Sequence, residues 1–281
     1  MDYLKINFEE VRNGAMKSTF ESLERGFKKF DIDFYLIGAF ARDMWLNHLN
    51  YLPDRRTTLD IDFCIYINDQ DQFRLLKNYL VEVEKFTQDD EPYRLHSKEK
   101  DIVDLIPFGG IEKNNVVYLD GNPPMELSVF GNDQVLSHAQ SLQLDNVEFK
   151  ICTLPGLCIL KLIGGTERPE RRAKDLGDFY YILENYFDIA ADTIYESNFD
   201  DLIDEDFEPS IAAARMLGRQ LMEIMANQRA LKNKVLRILK TLTGGFSNEE
   251  IDQMYLLEKK DTQIFRFKLI NSIIVEINQS Q

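Results

Sequence analysis

Cysteine, histidine and positive charge are all scarce in this chain of 281 residues. The cysteines number three, Cys64, Cys152 and Cys158, an odd set in apolar surroundings. They suit reduced core thiols and argue against a disulfide framework. The histidines, His48, His96 and His138, are also three and lie far apart in sequence. No Cys/His spacing fits a zinc site. Any metal therefore falls to oxygen ligands, for which aspartate and magnesium are a matched pair. No apolar run reaches the ~20 residues of a membrane helix. The opening MDYLKINFEE has no apolar stretch of secretory type. A cytoplasmic protein with no membrane partner is expected. Lys and Arg total 33 against 48 Asp and Glu, a net charge of −15. That field repels nucleic acid, so a nucleic-acid substrate would need a local basic patch. Internal repeats and low-complexity tracts are missing too.

What is present is 44% hydrophobic residues, enough for a sizeable core. Apolar residues at near-helical spacing predict a first amphipathic helix over 8–28. A short buried strand over 33–38 and a helix over 39–49 follow. A loop carries Pro53, Asp54, Arg55 and Arg56. Strand signals return at 60–67, 93–97 and 102–108, with a helix over 69–86 between the first two. Residues 115–152 read as shorter strands with one brief helix. From Leu154 onward only helices are expected, at 154–164, 170–186, 208–227, 229–242, 247–259 and 263–277. The acidic stretch 188–207 reads as a loop or helix connector.

The strand at 60–67 (DIDFCIYI) alternates. Side chains along a strand point to opposite faces in turn. Ile61, Phe63 and Ile65 share one face, and Asp60 and Asp62 project together from the other. Asp104 sits inside the apolar run IVDLIPF. Burying it is costly without a cation or a hydrogen-bond partner. If the two strands are neighbours, three carboxylates converge. Such a cluster can hold two divalent ions ~4 Å apart, the arrangement that serves phosphoryl and nucleotidyl transfer. Each piece also has a plain reading: a solvated strand end for the DxD pair, an Arg or backbone partner for Asp104.

Upstream lies Leu36-Ile37-Gly38-Ala39-Phe40-Ala41-Arg42-Asp43. A small-residue turn between strand and helix lets backbone N–H groups approach phosphates. It also serves as a simple tight turn in which glycine supplies backbone freedom.

These segments carry a resemblance. Gly38-Ala39 with Arg42-Asp43, Arg56-Thr57-Thr58-Leu59-Asp60-Ile61-Asp62-Phe63, and Val103-Asp104-Leu105-Ile106-Pro107-Phe108 resemble the DNA polymerase beta-type nucleotidyltransferase superfamily. Within it the chain is most similar to the AbiEii/AbiGii-type toxin nucleotidyltransferases. Leu154-Pro155-Gly156 to Lys161, then Arg168 to Lys174-Asp175 and Asp178, fit the same group. The order of elements gives a mixed α/β half over 1–153 and a helical domain over 154–281, and the resemblance, which spans roughly 33–187, implies an α+β nucleotidyltransferase fold, a mixed β-sheet flanked by helices. It implies two Mg2+ ions on Asp60, Asp62 and Asp104, the last helping to deprotonate an acceptor hydroxyl. It further implies NTP contacts from Gly38, Ala39, Arg42, Arg56, Lys161, Lys174 and Asp175. The acceptor would be RNA (a tRNA end) or a protein, and an antitoxin protein is an implied partner. Gly38-Ala39 departs from the usual Gly-Ser or Gly-Gly, which removes a hydroxyl contact to phosphate. That departure keeps open a catalytically silent binding module. The acidic surface keeps open a small-molecule, aminoglycoside-type transferase.

The basic residues have double readings as well. Lys161 lies in the apolar helix LCILKLIGG, where its stem can snorkel to solvent or its ammonium can meet a phosphate. Arg171 with Asp175, and Lys174 with Asp178, are spaced for i,i+4 ion pairs. Lys232, Lys234, Arg237 and Lys240 form either a solvated helix face or an RNA-backbone contact.

Overall fold

A computed structural model describes residues 4–7, 9, 16–52, 60–121, 123–196, 199–203, 207–244 and 262–279. The chain forms two compact units, Met1–Thr153 and Leu154–Gln281.

The first unit is built on a mixed eight-stranded sheet. Its strands are β1 (Leu4–Ile6), β2 (Phe34–Ile37), β3 (Asp60–Tyr66), β4 (Thr87–Gln88), β5 (Arg94–His96), β6 (Ile102–Phe108), β9 (Gln140–Leu144) and β10 (Val147–Ile151). They run in the order β1-β9-β10-β2-β3-β6-β5-β4. A separate hairpin pairs β7 (Val116–Leu119) with β8 (Met125–Ser128). The helices of this unit are α1 (Lys17–Lys29), α2 (Gly38–Asp43), α3 (Gln70–Glu82) and α4 (Asn132–Leu136). The two hydrophobic 7-residue strands, β3 and β6, sit side by side and parallel in the middle of the sheet. Their near-continuous apolar runs fit strands covered on both faces.

An aromatic cluster fixes α1 against one face. Phe20 and Phe27 lie on one stripe of the helix with Leu23, all buried. Phe27 stacks on Phe34 at 4.4 Å between ring centroids, and Phe20 meets Phe63 edge-on at 5.7 Å. Offset and edge contacts of this kind add to the stabilisation from buried area. The alternation of β3 therefore has a direct outcome: Ile61, Phe63 and Ile65 are fully buried. α3 opens on Asp69, whose carboxylate accepts from the Gln72 N–H at 2.8 Å, an N-cap of the expected type.

Several expectations are corrected in detail. The first helix starts at Lys17; residues 8 and 10–15 lie outside the described ones. The helix expected over 39–49 starts at Gly38 and changes into a π-helical turn over Met44–Leu49. There the Asn50 amide donates to the Trp45 carbonyl at 2.8 Å, and the Trp45 indole N–H donates to the Cys152 carbonyl at 2.9 Å. β1 and β4 were not anticipated. They hold three and two residues, too few for a period to show.

The second unit is helical: α5 (Leu154–Glu167), α6 (Arg172–Glu184), α7 (Tyr186–Tyr195), α8 (Pro209–Met225), α9 (Arg229–Leu242) and α10 (Thr262–Gln279). α7 occupies much of the stretch expected to be a connector. Tyr186, Ala190 and Ile194 recur every four residues and are buried, while Asp188 and Asp192 lie off that stripe. The helix expected over 247–259 lies outside the described residues. Gly218 of α8 lets α10 approach closely: a Cβ there would stand 3.2 Å from the Ile273 carbonyl oxygen. Arg215 and Arg219 of α8 bind the buried Glu276 of α10 at 2.6 and 3.1 Å. No helix of the described residues is long and apolar enough to cross a membrane.

Candidate active site

Strand pairing brings the three aspartates together. Asp62 of β3 is the lateral partner of Asp104 of β6 in a parallel register. Side chains at partnered positions of neighbouring strands project from the same face, ~4.8 Å apart. Asp60 lies two residues earlier on β3 and shares that face. One carboxylate oxygen from each of Asp60, Asp62 and Asp104 lies within 4.8 Å of the others. Asp104 is 1% exposed, whereas Asp60 and Asp62 are half-buried. Three ionised carboxylates at this spacing repel one another. Hard oxygen donors grouped this closely suit a hard divalent ion such as Mg2+.

The turn after β2 is fitted to this cluster. Ile37 pairs with Asp62 across the β2–β3 ladder, so Gly38 comes next to the Asp62 side chain. Gly38 has φ +71°, in the left-handed region that favours glycine. A Cβ on Gly38 would also stand 2.7 Å from Asp62 Cγ and 3.0 Å from Asp62 Cβ. Both conformation and space therefore require glycine at the start of α2. The first N–H groups of a helix have no intrahelical partner, and Gly38 and Ala39 hold those positions. The Ala39 side chain points into the core, 1% exposed.

Arg94 is the residue that sequence reasoning missed. It faces Asp104 across the antiparallel β5–β6 ladder. Its Nε donates to Asp104 Oδ1 at 2.7 Å and its Nη2 to Oδ2 at 2.8 Å. This forked pairing answers the cost of burying Asp104. The hydrogen bonds to Asp104 raise the Arg94 pKa further above its already high ordinary value, so the guanidinium stays charged. The only sequence signal was a demand for some partner, with nothing to indicate which basic residue the register would deliver.

The other candidates lie on other elements. Arg42 is fully buried and its Nε donates to Asp43 Oδ1 at 2.8 Å, an ion pair at the end of α2. Arg56 lies outside the described residues. Lys161, Lys174 and Asp175 belong to the helical unit. Lys161 is 9% exposed and its ammonium binds Asp175 at 2.9 Å and Asp178 at 3.1 Å. Of the two readings of Lys161, snorkelling to solvent is replaced by a buried ion cluster on α5 and α6. Both carboxylates that i,i+4 spacing matches to Arg171 and Lys174 also reach Lys161. Asp175 Oδ2 is buried with no hydrogen-bond partner among the described residues. Gly164 permits this closeness, since a Cβ there would stand 3.1 Å from Asp175 Oδ2.

Removing a cation that holds two buried carboxylates leaves them under-compensated, which costs about 3–5 kcal/mol. Lys161→Met is accordingly expected to lower unfolding stability by about that amount, read from the urea midpoint. A change below about 1 kcal/mol would show that the lysine is not the partner these acids depend on.

The family described as nucleotidyl transferase AbiEii toxin, type IV toxin–antitoxin system, matches the chain over residues 22–255. Among solved structures, similarity extends to an antigenic nucleotidyltransferase-like protein from Paracoccidioides brasiliensis. It shows 13% identity and a TM-score of 0.38 over 79% of this chain and 92% of that one. Another is the Thermotoga maritima CCA-adding enzyme complexed with tRNA, with 12% identity and a TM-score of 0.29 over 97% of this chain and 83% of that one. No curated protein matches the chain in sequence.

Proposed function

The chain belongs to the AbiEii nucleotidyltransferase toxin family, and on that premise we propose that Asp60, Asp62 and Asp104 are the metal-binding centre of its transfer reaction. The reaction moves a nucleoside monophosphate from an NTP to an acceptor hydroxyl. The observation that carries this reading is the approach of the three carboxylates to within 4.8 Å beside a turn that admits only glycine. Two Mg2+ ions bound there would neutralise phosphate charge and align the attacking and leaving oxygens.

The residues have separate tasks. Asp60 and Asp62 provide one face of ligand oxygens, and the β3–β6 ladder holds Asp104 at a fixed offset from them. Gly38 and Ala39 present backbone N–H groups to the triphosphate. Arg42, buried and paired with Asp43 at the end of α2, is a further proposed NTP contact. Lys161, Lys174 and Asp175 are proposed as further NTP contacts, supplied by the helical unit. Because Asp175 and Asp178 both hold Lys161, a phosphate contact from Lys161 requires it to exchange one of them. Incubating the protein with labelled NTP, Mg2+ and cellular RNA tests the activity. Label must enter RNA in a divalent-dependent way; none in any NTP sinks the proposal.

An RNA acceptor is favoured by α9. The helix carries Arg229, Lys232, Lys234, Arg237 and Lys240 and no acidic residue, on a chain of net charge −15. Lys234 pairs with Glu167, while Arg237 and Arg172 line an adjoining cavity of about 270 Å³ with Leu176 and Ile238. A cationic face in an acidic protein is the local patch a polyanion needs. The double variant Arg237→Gln/Lys240→Gln is expected to weaken RNA binding about tenfold and to flatten its salt dependence by about two charges. Unaltered anisotropy titrations at low and high salt would remove α9 from the acceptor site. The family context also proposes an antitoxin partner, for which the adjacent gene is the first candidate.

A further inference from the structure

The helical unit has a concave site of its own. A cavity of about 270 Å³ lies among α5, α6 and α9. Its cations are Arg172 of α6 with Lys234 and Arg237 of α9, against one acid, Glu167 of α5. Lys234 is paired with Glu167. Arg172 and Arg237 have no ion-pair partner among the described residues. Even in a chain of net charge −15, two guanidinium groups at one cavity are thus left without a matching acid.

Beside the arginines the wall is apolar, formed by Leu176, Ile238 and Leu242. Thr166 and Thr241 also line the cavity. Their hydroxyls donate to the Leu162 and Arg237 carbonyls at 2.6 and 2.9 Å. A hydroxyl that donates in this way keeps lone pairs to accept from a ligand N–H. Bare phosphate would engage the arginines and leave the apolar wall in water. An apolar molecule would cover the wall and leave the arginines unused. A nucleotide matches both parts: arginine forks suit phosphate oxygens, and a base covers aliphatic side chains. The volume lies just under the ~300–1,000 Å³ of pockets for drug-sized ligands, so one nucleotide is the fitting unit. Arg237 and Thr241 also border a wider recess of about 640 Å³ with Asn233 and Lys240. A chain attached to the nucleotide has a cationic way out there.

We propose that this cavity is a metal-independent receptor for a single nucleotide, held by its phosphate on Arg172 and Arg237 and by its base on Leu176, Ile238 and Leu242. The nucleotide is a free molecule or one unit of an RNA chain, since phosphate and base are common to both. The RNA source deepens the acceptor reading of α9 and rests on it. The site itself asks nothing of Asp60, Asp62 or Asp104.

The test is isothermal calorimetry in EDTA on the whole chain carrying Asp60→Asn and Asp62→Asn. It is titrated with AMP, CMP, GMP and UMP, and then with inorganic phosphate. At least one nucleotide is expected to bind, about tenfold or more tightly than phosphate alone. Arg172→Gln and Arg237→Gln, each added to that protein, are expected to weaken binding about tenfold or more. Both arginines are exposed, so neither exchange threatens the fold. Arg74→Gln, at an exposed arginine of α3, is expected to change nothing. Short RNA that displaces the nucleotide assigns the site to a unit of RNA; RNA that fails to displace it assigns the site to a free nucleotide. Absence of binding by all four nucleotides overturns the proposal. So does binding that either arginine variant leaves unchanged, or phosphate binding as tight as that of the best nucleotide. EDTA and the two asparagines silence the metal centre, so failure here leaves that reading intact. Loss of transfer in the metal-centre variants, in turn, leaves this site intact.

Discussion

Exchanging Asp60 and Asp62 together for asparagine is expected to reduce nucleotidyl transfer by at least about three orders of magnitude while the protein stays folded. The two side chains keep their size, so the buried face of β3, formed by Ile61, Phe63 and Ile65, is not disturbed. What disappears is charge. Three carboxylates with ligand oxygens within 4.8 Å become one carboxylate, Asp104, that Arg94 already matches. Neutral amides are poor ligands for a hard divalent ion compared with carboxylates. Removing like charges also relieves repulsion, so the urea midpoint should hold or rise. Rate and stability thus move in different directions, which separates loss of chemistry from loss of fold. Transfer at the wild-type rate would show that the reaction does not use these acids.

The second large effect is expected from the smallest substitution, Gly38→Ala. Alanine in the left-handed region costs about 1–2 kcal/mol. The added methyl would also stand 2.7 Å from Asp62 Cγ, well inside contact distance. Asp62 has little room to yield, because β3 is a central strand paired on both sides, by β2 and by β6. The side chain must rotate away from Asp60 and Asp104, or the turn must open. A displacement of about 1 Å at a reacting centre costs on the order of a hundredfold in rate. Gly38→Ala should lose about that factor in transfer and bind Mn2+ more weakly, with a modest fall in stability. Full activity in this variant would mean that the close packing of the turn on Asp62 is irrelevant to the reaction.

The elements with a strong period were legible in the chain. IVDLIPF gives a strand with the bounds Ile102–Phe108, and the alternation of DIDFCIY gives one buried and one carboxylate-bearing face. The grouping of Asp60 with Asp62 follows from that alternation alone. Their meeting with Asp104 needed strand order, which no local pattern encodes; the parallel β3–β6 pairing supplies it. Arg94 was hidden for the same reason, being set by register on a strand of three residues. In α7 the buried period of Tyr186, Ala190 and Ile194 was overlaid by acids and read as a connector. Local i,i+4 spacing pointed from Asp175 and Asp178 to Arg171 and Lys174 and gave no sign of Lys161 as a partner of both acids. The packing of α5 on α6, eased by Gly164, delivered Lys161.

The most direct test of the metal centre is a crystal structure of the protein grown with Mg2+ and a non-hydrolysable NTP. Density for divalent ions is expected between the oxygens of Asp60, Asp62 and Asp104, with the triphosphate reaching the Gly38–Ala39 turn. A nucleotide bound elsewhere, with the three carboxylates free of any ion, would contradict the account.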